Sequence, residues 1–340
     1  MLKKMVSQFK IQNSKLAALA AIAAVLLLAG CSKKDGVFEP EQKVQYRYDT
    51  EYTQWMVWLQ GEYDTTLSAT KRHLAEAYTW SDDLLTAISY YDTSRRTNTL
   101  LYTLDFLYEK KQVVKAVDSR YGNYSVFVYD EDKGKWLERI ETFSLLDDSP
   151  VATLTFTRPE EKSPYFSKLE YRYYPVASKI TPSPQGYTLT IDLQWSGTDI
   201  TTATYTYTPD DGKALTQTLT LTYDDHPNPL HKCAQHLLAP RDIEYGRKLY
   251  HLWQNIAALS EHNVTKAVCD FTEEYYAISG DLATRDIHYE WNYTYAYAAG
   301  EVQVPTRVVS TWVDNEYTGA RLTYQEKHER TSEYFYLPEE

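Results

Sequence analysis

Glycine is scarce in this chain of 340 residues, at 12, and cysteine is scarcer still, at 3. Few glycines and an average charged fraction of 24% exclude a low-complexity or disordered chain. Basic charge is also short, with 35 Lys and Arg against 47 Asp and Glu. That balance excludes a nucleic-acid binder, which needs clustered positive charge. It equally argues against lying flat on an anionic membrane surface. No G-x-S-x-G, no H-E-x-x-H and no phosphate-binding glycine loop occurs, so no nucleophile or cofactor motif is legible and no catalytic residue or cofactor is assigned.

Only one long apolar run exists, Leu16 to Ala29, following Lys3, Lys4, Lys10 and Lys15. It is shorter than the roughly 20 residues that span a bilayer. A positive start, an apolar core and small residues at its end are the features of an export signal. The run ends Leu28-Ala29-Gly30-Cys31, which closely resembles the lipobox of bacterial lipoproteins. The resemblance implies a cut before Cys31, a diacylglycerol thioether on Cys31, and anchoring to a membrane by more than one acyl chain. Residues 1–30 are thus read as a signal peptide and 31–42 as a polar tether. Loss of the four lysines takes the net charge from −12 to −16. Ser32 after the cysteine favours the outer membrane, because an aspartate there would resemble an inner-membrane retention signal. Ser32-Lys33-Lys34-Asp35 lacks the acidic run of surface display, so periplasmic and cell-surface faces both stay open.

What the chain has in abundance is tyrosine, 32 residues, beside 8 Trp and 9 Phe. Aromatic and β-branched residues suit a pleated, half-buried surface. From residue 43 onward the dominant period is two. Tyr187, Leu189, Ile191, Leu193 and Trp195 alternate with Thr188, Thr190, Asp192 and Gln194, and similar runs follow at 202–208 and 215–223. Such alternation predicts strands with one buried and one wet face. Hairpins repeat on one plan: a strand ends in an aromatic residue, a polar turn follows, and an aliphatic strand opens. Examples are Trp80 through Asp82-Asp83 to Leu84, Tyr108 through Lys110-Lys111 to Val113, and Tyr129 through residues 130–134 to Leu137. The anchors Trp80, Tyr108, Tyr129 and Phe156 are unevenly spaced, so this is a loose repeat and not a fixed-period solenoid.

The alternation stops between Tyr223 and Val268. Tyr245, Leu249, Leu252, Trp253 and Ile256 have helical spacing, which predicts a helix within 241–259, inside a helical insertion spanning 230–262. The expected fold is therefore all-β: one domain, 43–340, an antiparallel meander of successive hairpins, either open or curled like a barrel, with a helical excursion near 233–260. A membrane-spanning barrel is the weaker reading, since charged turns lie at both ends and prolines interrupt strands.

Tyr223-Asp224-Asp225-His226-Pro227-Asn228-Pro229 and Asn263-Val264-Thr265-Lys266 resemble the corresponding turns of Bacteroidota lipoproteins of unknown function with a porin-like domain. The Tyr-Asp hairpins are also loosely similar to RHS/YD repeats. The resemblance covers most of residues 45–340. It implies a long antiparallel meander that curls like part of a barrel, and it implies no activity. Asp64-Thr65-Thr66 resembles the O-glycosylation acceptor pattern of the same bacterial group.

Several groups invite chemistry. Cys233 and Cys269 remain once Cys31 is lipidated, and are either a disulfide pinning the excursion or two buried thiols. Five of eight histidines fall in the excursion, His226, His231, His236, His251 and His262, but no second ligand pair completes a zinc set. Asp130, Asp132 and Gly134 lack the spacing of a calcium loop. No metal is assigned. Paired aspartates at 82–83, 147–148, 210–211 and 224–225 read as turn residues, not as a hydrolytic carboxylate pair. Trp58, Trp291 and Trp312 are the candidate aromatic binding face, with the core as their alternative. The function expected is a cell-envelope lipoprotein that binds a glycan or protein partner or serves structurally, without catalysis. The alternatives are a hydrolase, which needs a deep cleft with converging carboxylates, and a lipid carrier, which needs a large dry cavity.

Overall fold

A computed structural model describes residues 43–337, apart from 60–61, 93–97, 131–135, 161–162, 175–185, 232–237, 239–255, 277–281, 300–302 and 320. For 52–59, 62–69 and 275–276 it describes the backbone alone. The predicted signal peptide and tether, including Cys31, lie outside the described residues.

Strands follow one another through the chain: β1 (Val44–Leu59), β2 (Glu62–Ala69), β3 (His73–Ser81), β4 (Leu84–Tyr91), β5 (Leu100–Glu109), β6 (Gln112–Asp118), β7 (Asn123–Tyr129), β8 (Leu137–Ser144) and β9 (Pro150–Thr157). They continue as β10 (Lys168–Tyr173), β11 (Tyr187–Ser196), β12 (Asp199–Pro209), β13 (Leu215–Pro227), β14 (His262–Tyr276), β15 (Leu282–Tyr297), β16 (Pro305–Thr318) and β17 (Arg321–Tyr336). From β3 to β17 each pairs antiparallel with the next. The last, β17, then pairs with β1 along its length, from Val44↔Tyr336 to Met56↔Gln325. The second half of β1 pairs with β2 and its first half with β3. These two short strands share one stave, so the seventeen strands close into a sixteen-stave barrel. Closure removes every edge from the sheet. The predicted all-β meander is thus curled completely round.

Inward faces follow from the registers. Leu189, Ile191 and Leu193 on β11 stand opposite Tyr207, Tyr205 and Ala203 on β12, which stand opposite Leu215, Gln217 and Leu219 on β13. All but Tyr207 and Leu215 are buried. The intervening Thr188, Thr190, Thr202, Thr204, Thr218 and Thr220 face outward. A transmembrane barrel carries an apolar band about 25 Å tall on this outer face. Along β8 and β10–β13 it is threonine and charge, with Glu138, Lys168, Glu170 and Arg172 continuing the pattern on β8 and β10, whereas Leu107 and Phe335 are exposed on other strands. Among the described residues no helix is long and apolar enough to cross a membrane.

The hairpin plan read from the sequence has a physical basis at the end of the barrel where β1 begins, here called the lower end. Turns there use Asp82 at φ 53° and the pair Lys110 and Lys111 at φ 49° and 70°. Two adjacent left-handed residues fit the twist of a two-residue hairpin. Beside the turn a bulge shifts the register at Thr79/Trp80, Leu107/Tyr108, Val128/Tyr129 and Gln194/Trp195. The extra residue (Thr86, Val114, Glu138 or Thr201) lies on the strand after the turn and swings the aliphatic Leu85, Val113, Leu137 or Ile200 inward beside the aromatic. The polar atom of the aromatic donates to a carbonyl at the start of an earlier strand: Trp80 to Val44 (2.8 Å), Tyr108 to Leu85 (2.6 Å) and Tyr129 to Val113 (2.9 Å). Trp195 reaches Phe166 (2.7 Å), Tyr223 Ile200 (2.7 Å), Tyr295 Val264 (2.7 Å) and Tyr336 Pro305 (2.6 Å). At the remaining hairpin the anchor is Phe156, which has no donor, and Arg158 bonds the Leu137 carbonyl instead (3.3 Å). Each clamp ties the end of one strand to the start of an earlier one.

The described ends of the excursion after β13 lie at this same end. Two asparagines lock its neck. Asn228 donates to the carbonyls of Ala257 and Ser260 (3.2 Å each), and Asn263 to those of His226 and Pro227 (3.1 Å each). Both are nearly buried, and Ser260 between them is fully so. The Tyr-Asp-Asp-x-x-Asn-Pro and Asn-Val-Thr-Lys segments are therefore the two sides of one hydrogen-bonded neck. The predicted helix within 241–259 falls mostly outside the described residues. Its described end is helical at Ile256 and Ala257 and closes in a turn, with Leu259 bonded to Ile256 (3.0 Å) and Ser260 to Ala257 (3.1 Å).

Candidate functional site

Along β4–β14 the inward side chains are mainly apolar and pack to near-zero exposure, Ile88, Ile140, Leu189, Ala203, Leu219 and Ala267 among them, with a few buried polar residues such as Ser125, Thr142 and Gln217. The wall made by β1, β3, β16 and β17 differs. Its inward positions include Arg47, Asp49 and Glu51 on β1, Glu76 on β3, Asp314 and Glu316 on β16, and Glu326, His328 and Arg330 on β17. Charge at alternate positions normally marks a solvent face. Closure of β17 onto β1 turns this face into the lumen.

Arg47 lies at its centre. Its guanidinium meets Asp49 at 3.2 Å and Glu76 at 3.1 Å, while Arg330 reaches Asp49 at 4.0 Å. Burial opposes charge on Arg47, but Asp49 and Glu76 outweigh it and raise its pKa. Burial likewise pushes the Asp49 carboxyl up, and Arg47 and Arg330 overcome this to hold it below its usual range. Tyr78 donates to Glu76, and burial followed by that carboxylate raises its hydroxyl pKa. Arg47 Nε is buried with no hydrogen-bond partner among the described residues.

Two cavities meet at Arg47 and Arg330. The smaller, about 140 Å³, runs toward the lower end under Asn228, Asn263, Tyr295 and Ser310. The larger, about 460 Å³, runs toward the upper end between Asp49, Glu51, Glu76, Tyr90, Tyr102 and Arg120. At its mouth Tyr90 and Tyr102 stack at 4.5 Å with planes 15° apart. The exposed Arg120, on the β6–β7 turn, lies 5.3 Å over Tyr102. An aromatic stack capped by a guanidinium is a platform for flat or hydroxylated rings.

Of the residues singled out from the sequence, Trp291 and Trp312 face inward directly opposite each other on β15 and β16. Trp291 is 5% exposed and belongs to the core; Trp312 is half-buried, stacked on His328 and 5.3 Å from the Arg330 guanidinium. The Trp58 side chain lies outside the described residues. Cys269 points into the dry half, 1% exposed, and burial pushes its thiol up to about 12. Cys233 and His236 lie outside the described residues. The paired aspartates occupy the turns or strand ends expected of them. The Arg47–Asp49–Arg330 lattice was not anticipated. Its signal was present: Gln325-Glu326-Lys327-His328-Glu329-Arg330 is polar on both faces of a strand, which a dry core does not tolerate.

No protein-family model matches the chain, and no curated protein matches it. Three solved structures are loosely similar to it. A porin-like protein from Bacteroides vulgatus is 9% identical with a TM-score of 0.36, over 87% of this chain and 99% of that one. OpdQ of Pseudomonas aeruginosa is 10% identical with a TM-score of 0.33, over 88% and 99%. OmpT, an outer membrane protein of Vibrio cholerae, is 8% identical with a TM-score of 0.28, over 86% and 100%. Similarity at this level says nothing of what this chain does.

Proposed function

We propose that this chain is a cell-envelope lipoprotein, of the Bacteroidota group it resembles, whose barrel binds a polar ligand without catalysis. Lipid on Cys31 would hold it to the outer membrane, on the periplasmic or the cell-surface face, with the barrel in water. The threonine-rich outer wall supports a water-facing barrel. The ligand class proposed is a short glycan, taken into the upper chamber.

One observation carries the reading. The larger cavity combines arginine–carboxylate pairs with a stacked tyrosine platform, in a volume of about 460 Å³. Small-molecule sites span about 300–1,000 Å³ and fix their ligand with a few convergent polar groups. A lipid would have to strip water from Arg47, Asp49 and Glu76, which burial makes costly. A glycosidase needs one carboxyl kept protonated near neutral pH. Asp49 is instead held ionised by Arg47 and Arg330.

Screening the full-length protein on a glycan array tests this. Binding to at least one glycan, weakened about tenfold by Tyr102→Ala through loss of ring stacking, is expected. Absence of any glycan binding, or binding untouched by both Tyr102→Ala and Arg330→Gln, would overturn it.

A further inference from the structure

Asp314 on β16 and Glu326 on β17 stand directly opposite each other, both turned into the lumen. Like charges at opposed positions of neighbouring strands repel. Glu326 is only 8% exposed, so water screens the pair poorly. Arg285, on the neighbouring β15, pairs with Glu273 (3.1 Å) and Glu316 (2.7 Å). Arg330 lies toward Asp49 and over Trp312.

His328 completes the group. Its Nε2 is 2.6 Å from a Glu326 oxygen, and one donor atom from each of Asp314, Glu326 and His328 falls within 4.8 Å of the others. Its other nitrogen, Nδ1, faces the Glu51 carboxylate at 3.9 Å. The indole of Trp312 lies parallel beneath it, 4.4 Å away with planes 8° apart, and fixes the ring plane. An imidazole with a carboxylate behind it and ligands in front is the arrangement by which proteins orient a metal-binding histidine.

We propose that Asp314, Glu326 and His328 bind a divalent transition-metal ion of the zinc class on the inner wall, with Glu51 orienting His328. One imidazole nitrogen and two carboxylates suit Zn²⁺. Calcium and magnesium prefer oxygen ligands throughout. Binding replaces the hydrogen bond between His328 and Glu326: the bridging proton leaves to solvent, and both atoms turn to the ion. Water completes the coordination from the lumen side. The ion neutralises the opposed carboxylates, and the strongly acidic chain favours cation uptake.

Calorimetric titration of the full-length, EDTA-stripped protein with zinc chloride tests the assignment. One tight site per chain is expected, with calcium chloride giving none. His328→Ala and Asp314→Asn should weaken it by more than tenfold. Glu51→Gln keeps all three ligands and should weaken it by about tenfold. His288→Ala, on the outer face, should leave it unchanged. Wild-type protein that takes up no zinc would overturn the proposal, whatever the variants do. So would wild-type affinity in His328→Ala and Asp314→Asn when circular dichroism shows both folded. The titration contains no glycan, so this site and the chamber reading stand or fall separately.

Discussion

The two halves of the barrel wall use the same hairpins, bulges and aromatic clamps but bury opposite chemistry. Along β8–β13 the inward residues are Leu137, Ile140, Leu154, Leu169, Leu189 and Leu219, each almost inaccessible to water. Along β17 and β1 they are His328, Arg330, Arg47 and Asp49, held by ion pairs around two cavities. Backbone closure is thus independent of what the lumen contains. The apolar half supplies stability through burial at roughly 25 cal/mol per Å². The charged half gives up some of that to keep space and polar groups, which is the pattern of a site placed on a scaffold.

This contrast can be broken from either side. The largest effect is expected from Arg47→Met, which strands Asp49 and Glu76 as buried carboxylates. Urea unfolding at neutral pH should show a loss of about 3 kcal/mol or more. Asp49 has a lowered folded pKa, so its pairing contributes stability above the unfolded value near about 4 and loses it as pH falls through the folded value. The gap between wild type and variant should therefore narrow below about pH 4. A gap that is constant with pH would mean the ion pairs do not carry the effect. Leu189→Ala, in the dry half, should cost about 2–4 kcal/mol by the cavity it leaves, with no such pH dependence. A smaller effect should follow Tyr129→Phe, which removes the donor to the Val113 carbonyl. About 1 kcal/mol is expected. No change on this substitution would mean that the clamps are incidental to the hairpin repeat.

Much of the scaffold was legible in the sequence because it is local. Period-two alternation set the strands at 187–195, 202–208 and 215–223. The turns at Asp82-Asp83 and Lys110-Lys111 fell where turn chemistry placed them. Even the aromatic that ends each strand, seen at Trp80, Tyr108 and Tyr129, proved to be a structural clamp. What escaped the sequence is non-local. Pairing of β1 with β17 joins residues nearly 300 positions apart, and neither strand signals its partner. Without that closure, charges such as Glu326, His328 and Arg330 look like an ordinary solvent face. Trp291 and Trp312 illustrate the converse. As large aromatics they invited a surface role, yet their register points them into the lumen.

Site-directed thiol labelling tests the wet-wall account most directly. His73 lines the upper chamber, whereas Thr142 lies in the dry half at 1% exposure. With Cys31 and Cys233 replaced by serine, the remaining Cys269 is buried with a raised pKa and reacts slowly. In that background His73→Cys should react with a charged, water-soluble thiol reagent under native conditions, and Thr142→Cys should react only on unfolding. Equal rates at the two positions would contradict the division of the lumen into a hydrated charged wall and a dry core.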